Sequence, residues 1–111
     1  MSITTEVNRG ILFLKFDGVF DNTAFNVFNE EIDYLLYKQG VCYYTFDFSS
    51  VLRIEEGLLS KLQSKLIEIF LNCGRVVMYG LNNFYQERIG SGKNRLYYVD
   101  NRRDAFNLLN L

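Results

Sequence analysis

The sequence contains no histidine and no proline, and only two cysteines. The missing histidine removes the commonest general base and the commonest metal ligand together. Ser-His and Cys-His nucleophilic pairs are therefore excluded. A zinc site would need two distant cysteines plus carboxylates, a poor donor set. No cofactor and no metal are expected, and the composition leans away from an enzyme. Cys42 and Cys73 form no CxxC pair. Each lies in or beside an apolar, strand-like run, so both are expected as buried, reduced thiols in a cytoplasmic protein. The opening MSITTEVNRG lacks the charged-then-apolar pattern of a targeting segment. No apolar run reaches the roughly 18 residues that span a bilayer. Net charge is nearly absent too: 12 basic against 13 acidic residues. That balance gives no electrostatic case for nucleic acid or direct membrane insertion.

What is present suffices for a core. Hydrophobic residues make up 49% of 111 positions, which fits one compact domain over residues 1–111 and argues against disorder. Ile3–Val7 and Ile11–Phe20 read as strands of a hairpin turned at Asn8-Arg9-Gly10. Phe25, Phe28, Ile32, Leu35 and Leu36 then recur at helical spacing, between a capping Asp21, Asn22 or Thr23 and Gly40. Val41–Phe48 is aromatic and β-branched, as expected of a strand covered on both faces. A helix follows, with Leu58, Leu62, Leu66, Ile69 and Phe70 inward and Ser60, Lys61, Gln63, Ser64 and Lys65 on its wet side. Strands over CGRVVMYG and RLYYVD alternate with helices over NNFYQERIGSG and NRRDAFNLLNL. The order β-β-α-β-α-β-α-β-α predicts an α/β fold: a mostly parallel or mixed sheet of about five strands, about four helices and an N-terminal β-hairpin. The absence of proline suits short connections.

The chain resembles a STAS domain, the family of the anti-sigma-factor antagonists and of the cytoplasmic tails of sulphate transporters. LKFDGVFDNTAFNVF is similar to the family's strand, Gly-x-Leu/Ile-Asp and helix, with Gly18 and Asp21 in matching positions. FDFSSVLRI resembles its Leu-Asp-Leu-Ser-x-Val-x-x-Ile hallmark through Asp47, Ser49, Val51 and Ile54. CGRVVMYGL resembles the later Gly-flanked strand, and Ala105-Phe106 stands where the last helix carries an alanine. In antagonists the isoleucine is followed by Asp-Ser-Ser/Thr-Gly, and a partner kinase phosphorylates the hydroxyl residue before the glycine. Here Ile54 is followed by Glu55-Glu56-Gly57. A phosphoserine brings about −1.5 to −2 charges to a helix N-terminus, where N–H groups and the dipole favour an anion. Glu56 brings one negative charge permanently, so such a site cannot toggle. The two glutamates can equally serve only to complement the helix dipole in the first turn.

Other signals are weaker. Gly90–Asn94, GSGKN, has Glu87 where a P-loop needs its first glycine and Asn94 in place of Ser or Thr, and it reads as a turn. Arg88, Lys93, Arg95, Arg102 and Arg103 face one acid, Asp100, in sequence, a basic patch or a solvated edge. Tyr43, Tyr44, Tyr97 and Tyr98 fit core packing or a ligand pocket, and Asp21 and Asp47 are a candidate carboxylate pair at the strand ends.

The resemblance implies a non-catalytic protein-interaction module in bacterial signalling or partner switching, an antagonist whose phosphorylation switch is lost. Its partner would be an anti-sigma-type serine kinase or a related regulator, and a homodimer is compatible with it. The expected docking residues are Asp21, Ser50, Glu55, Glu56, Gly57, Ser60, Lys61 and Ser64. Asp21 and the Ile54–Gly57 junction should lie side by side, because they follow neighbouring strands. The alternatives are an accessory subunit docking on a membrane transporter ATPase, and a small-ligand-binding α/β domain using the tyrosines with Asp21 and Asp47.

Overall fold

The computed structural model describes residues 2–72, 74–90 and 95–110. Strands β1 (Ser2–Asn8) and β2 (Ile11–Phe20) form an antiparallel hairpin. Its turn, Arg9-Gly10, holds both residues at positive φ, 53° and 79°. That backbone matches the natural twist of two paired strands, and glycine adopts it without strain. Helix α1 (Asn22–Asp33) runs on into a π-helical turn, Tyr34–Lys38. Then follow β3 (Tyr43–Ile54), α2 (Leu58–Leu71), β4 (Arg75–Tyr79), α3 (Asn83–Ile89), β5 (Leu96–Val99) and α4 (Arg102–Leu109). The strands lie side by side in the order β1-β2-β3-β4-β5, and every pair after the hairpin is parallel. The expected five-stranded mixed sheet, four α-helices and N-terminal hairpin are all present.

Side-chain alternation along the strands sorts the core into two layers. Leu12, Leu14, Phe16 and Phe20 of β2 and Tyr44, Phe46 and Phe48 of β3 pack with α1, α2 and Ile89 of α3. Phenylalanine rings dominate this layer: Phe16 stacks on Phe48 with centroids 4.8 Å apart, and Phe28 meets Phe46 edge-on at 5.3 Å. The opposite layer is thin. Ile11, Phe13 and Val77 pack there with Ala105 and Leu109 of α4. Gly80, at φ +81°, follows β4 where a Cβ would lie 2.4 Å from the Ser49 backbone nitrogen. Only glycine lets the β4 end approach β3 this closely.

Three expectations are corrected. Strand β3 does not stop at Phe48 but runs to Ile54, with two register shifts against β2. Ser49 and Ser50, which follow the expected end of the strand, are therefore strand residues themselves. Lys65 is not on the wet side of α2: it is 4% exposed and ion-paired with Asp33 of α1 and Glu68 of its own helix. Cys42 is half-buried ahead of β3 and disulfide-bonded, not a free core thiol. Cys73 lies outside the described residues, as do 91–94 of the glycine-lysine turn. No helix among the described residues is long and apolar enough to cross a membrane.

Candidate partner-docking site

The ends of β2 and β3 set the geometry of the junction. Phe20 pairs with Ile54, and the Glu55 N–H donates to the Phe20 carbonyl at 3.0 Å. Asp21 and Glu55 are thus adjacent, each one residue beyond a paired strand end. Asp21 caps α1: its carboxylate accepts the Ala24 N–H at 2.9 Å, and its carbonyl accepts the Phe25 N–H at 2.8 Å. Capping by an aspartate satisfies donors that the first helical turn leaves unpaired.

Glu55 and Glu56 precede α2 rather than occupying its first turn. Their carbonyls, not their carboxylates, accept the N–H groups of Leu58 and Leu59, at 3.0 and 3.3 Å. Helix α2 begins three residues later than Glu55, with Gly57 as its cap and no side chain bonded to its free N–H groups. The half-buried Glu55 and the exposed Glu56 leave both carboxylates at the rim of the junction. Gly57 has φ −65° and ψ −12°, and a Cβ there would meet nothing within 4 Å. Its backbone makes no demand for glycine.

Ser60, Lys61 and Ser64 are exposed on the adjoining flank of α2, as expected. Lys61 reaches across to α1, donating to the Asn22 side chain at 3.3 Å, with its ammonium 6.0 Å from the Phe25 ring centroid. A groove of about 310 Å³ runs between the helices over Phe25, Asn29, Ser60, Lys61 and Ser64. Beyond it, the Lys65 pairs with Asp33 and Glu68 tie α1 to α2, and Glu68 also accepts the Tyr37 hydroxyl. That bond, with burial and the Glu68 charge, pushes the Tyr37 phenol upward. Tyr34 and Tyr37 stand half exposed at this end.

Ser50 is apart from this group. It pairs with Asp17 inside the sheet, well back from the strand end. Asp47 is further still, in register with Lys15, so Asp21 and Asp47 form no carboxylate pair. Both Asp47 oxygens are used: one accepts the Ser49 N–H at 2.8 Å and the Ser49 hydroxyl, the other the Tyr79 hydroxyl at 3.1 Å. Tyr44 and Tyr98 pack in one layer of the core and Tyr97 in the other, so the four tyrosines do not gather on one face. Tyr44 is buried and donates to the Val41 carbonyl at 2.6 Å, and Tyr98 donates to that of Gly90 at 2.8 Å. Lys93 lies outside the described residues, and the basic residues among the described ones do not converge either. Arg95 and Arg102 flank opposite ends of β5, and Arg88 lies over the Phe84 ring at 3.5 Å. One contributor was missed from sequence: the Tyr85 hydroxyl on α3 accepts the Ile54 N–H at 3.2 Å, fixing the β3 end. Its partner lies 31 positions away, and nothing local signals it.

No protein-family model matches the chain, and none of the curated proteins matches it in sequence. Solved structures do match. The chain superposes on the unphosphorylated anti-sigma factor antagonist SpoIIAA with a TM-score of 0.81 and 13% identity, covering 98% of each chain. The phosphorylated SpoIIAA of Bacillus gives 0.75 and 13%, over 97% of this chain and 99% of that one. A Thermotoga maritima protein provisionally assigned as an anti-sigma factor antagonist gives 0.76 and 16%, over 98% and 95%. The fold is that of SpoIIAA along essentially the whole chain.

Proposed function

We propose that this chain is a non-catalytic docking module of the antagonist type, working in bacterial partner switching with a site fixed in one charge state. The observation that carries the reading is the junction itself. On a fold shared with a phosphorylated and an unphosphorylated antagonist, the turn between β3 and α2 holds Glu55-Glu56-Gly57 beside Asp21, with no hydroxyl. The proposed contact surface is Asp21, Glu55, Glu56, Gly57 and the α2 flank of Ser60, Lys61 and Ser64, an acidic end followed by a basic, hydroxyl-bearing helix side. Ser50, paired within the sheet, contributes backbone position rather than a side chain. The partner is an anti-sigma-type serine kinase or a related regulator, met in the cytoplasm.

The Ser49 hydroxyl is already donated to Asp47 and Ser50 is paired within the sheet, so neither stands in for the missing hydroxyl at the junction. Incubation with such a kinase and ATP, followed by peptide mass spectrometry, should find no phosphate on Ser49, Ser50 or Ser60. Stoichiometric phosphate on any of them would overturn the fixed-state reading.

A further inference from the structure

On the α4 side of the sheet, side chains in register form a polar row beside the N-terminal end of α4. Thr4 of β1 faces Lys15 of β2, Lys15 faces Asp47 of β3, and Asp47 faces Tyr79 of β4. Above this row is a hollow of about 120 Å³ that also reaches Thr45 and Phe13. Arg102, the first residue of α4, roofs it: its guanidinium lies 4.1 Å from the Phe13 ring centroid and is ion-paired with Glu6 of β1.

Two features of the hollow are unexplained by folding. Thr45 is 1% exposed, and its Oγ1 is the one buried side-chain polar atom among the described residues with no hydrogen-bond partner. A buried, unpaired hydroxyl opposes folding, whereas valine has the same shape, favours strands and carries no such penalty. Lys15 sits directly opposite Asp47, yet among the described residues it joins no ion pair. Asp47 is held by Ser49 and Tyr79 instead, and Arg102 is held by Glu6. The hollow therefore presents a free ammonium and a carboxylate fixed in position by donors, above an unpaired hydroxyl buried just beneath them.

We infer that this hollow binds a small carboxylate bearing a hydrogen-bond donor on the adjacent carbon, a 2-hydroxy or 2-amino acid. The ligand carboxylate meets the Lys15 ammonium, and its donor group reaches Thr45 Oγ1 and the Asp47 carboxylate. The volume holds about four waters' worth of matter by the share each takes in the liquid, which limits the ligand to a few heavy atoms. The site lies on the opposite face from the α1–α2 groove, so it stands or falls independently of the docking surface.

The test is titration of the isotopically labelled full chain by two-dimensional amide NMR, with L-lactate, L-alanine and propionate as probes. L-lactate or L-alanine should shift the amides of Phe13, Lys15, Thr45 and Asp47 saturably, with a Kd below about 10 mM, as suits so few ligand atoms. Whichever of the two binds tighter identifies the donor as hydroxyl or ammonium. Propionate, lacking the donor, should bind about tenfold more weakly. Thr45→Val and Lys15→Gln should each weaken binding about fivefold or more while distant amides stay in place. Shifts that remain linear to about 50 mM for both lactate and alanine, or saturable binding unchanged in both variants, would overturn the assignment.

Discussion

The two faces of the sheet are built by different means. The face under α1, α2 and α3 is filled by interlocking phenylalanines, with Phe16 touching Phe20, Phe28, Phe46 and Phe48. The face under α4 has a short apolar patch around Ile11, Phe13 and Val77 and gives way to Thr45, Lys15, Asp47 and Tyr79. One helix of eight residues covers it, against three on the other side. Stability is thus concentrated on one face, while hydrophobic demand on the other is low enough to leave polar side chains in place. Burial of apolar area scales the contribution of each layer, and the layers should respond unequally to the same change.

The largest expected effect separates them directly. Phe16→Ala removes a fully buried ring from the centre of the phenylalanine cluster and should cost about 3–5 kcal/mol. Phe106→Ala, which removes a half-buried ring stacked on Phe13 at 6.4 Å, should cost about 1–2 kcal/mol by its smaller buried area. Urea denaturation of both variants measures the difference, and equal losses would erase the contrast between the faces.

A smaller effect concerns the ion-pair cluster that joins α1 to α2. Lys65 is buried, but Asp33 and Glu68 are 45% and 38% exposed, so solvent screens the pairs and limits their worth. Replacing both acids by alanine strands a buried ammonium and should cost about 2–4 kcal/mol. Lys65→Met fills the same space without a charge and should cost less than about 1 kcal/mol. A Met variant as damaging as the double acid variant would show that the charges themselves hold the helices together.

Tyrosine ionisation shapes the alkaline limb of stability. Burial first, then the Asp47 carboxylate, pushes Tyr79 up to about 12, and burial pushes Tyr98 up to about 12. The unfolded chain releases these protons near pH 10 while the folded chain keeps them. Between about pH 10 and 12 the unfolded state binds fewer protons, so stability falls as pH rises through that window. Tyr79→Phe should flatten part of this fall in thermal melts taken from pH 9 to 12. An unchanged slope would place the loss elsewhere.

Much of this architecture was legible in residue order. Helical spacing from Phe25 to Leu36, the apolar run before Asp47 and the Gly-flanked RVVMY each pointed to the element found there. The junction was legible in position but not in detail. Ser49-Ser50 reads as a turn because serines favour turns, yet Asp47 takes the Ser49 N–H and hydroxyl and the strand continues to Ile54. Consequently α2 starts after the glutamates instead of at them. Lys65 looked solvated because its stabilising partner, Asp33, lies 32 positions away on another helix. Thr45, in an aromatic strand, carried no local sign that its hydroxyl would be left unpaired.

The proposed docking surface is the Asp21–Glu56 end of the α1–α2 face, on the opposite side of the sheet from α4. Its most direct test is the affinity of three forms for an anti-sigma-type serine kinase from the same organism, by isothermal titration calorimetry. Glu56→Lys changes an exposed residue ahead of α2 and should alter stability by no more than about 1 kcal/mol. Its wrong-sign charge in the contact should nevertheless weaken binding about tenfold or more. Arg103→Glu, an exposed change on α4, should bind within about twofold of the unaltered chain, as expected of a charge outside the interface. Full affinity in Glu56→Lys together with lost affinity in Arg103→Glu would contradict the account and move the docking surface to the other face.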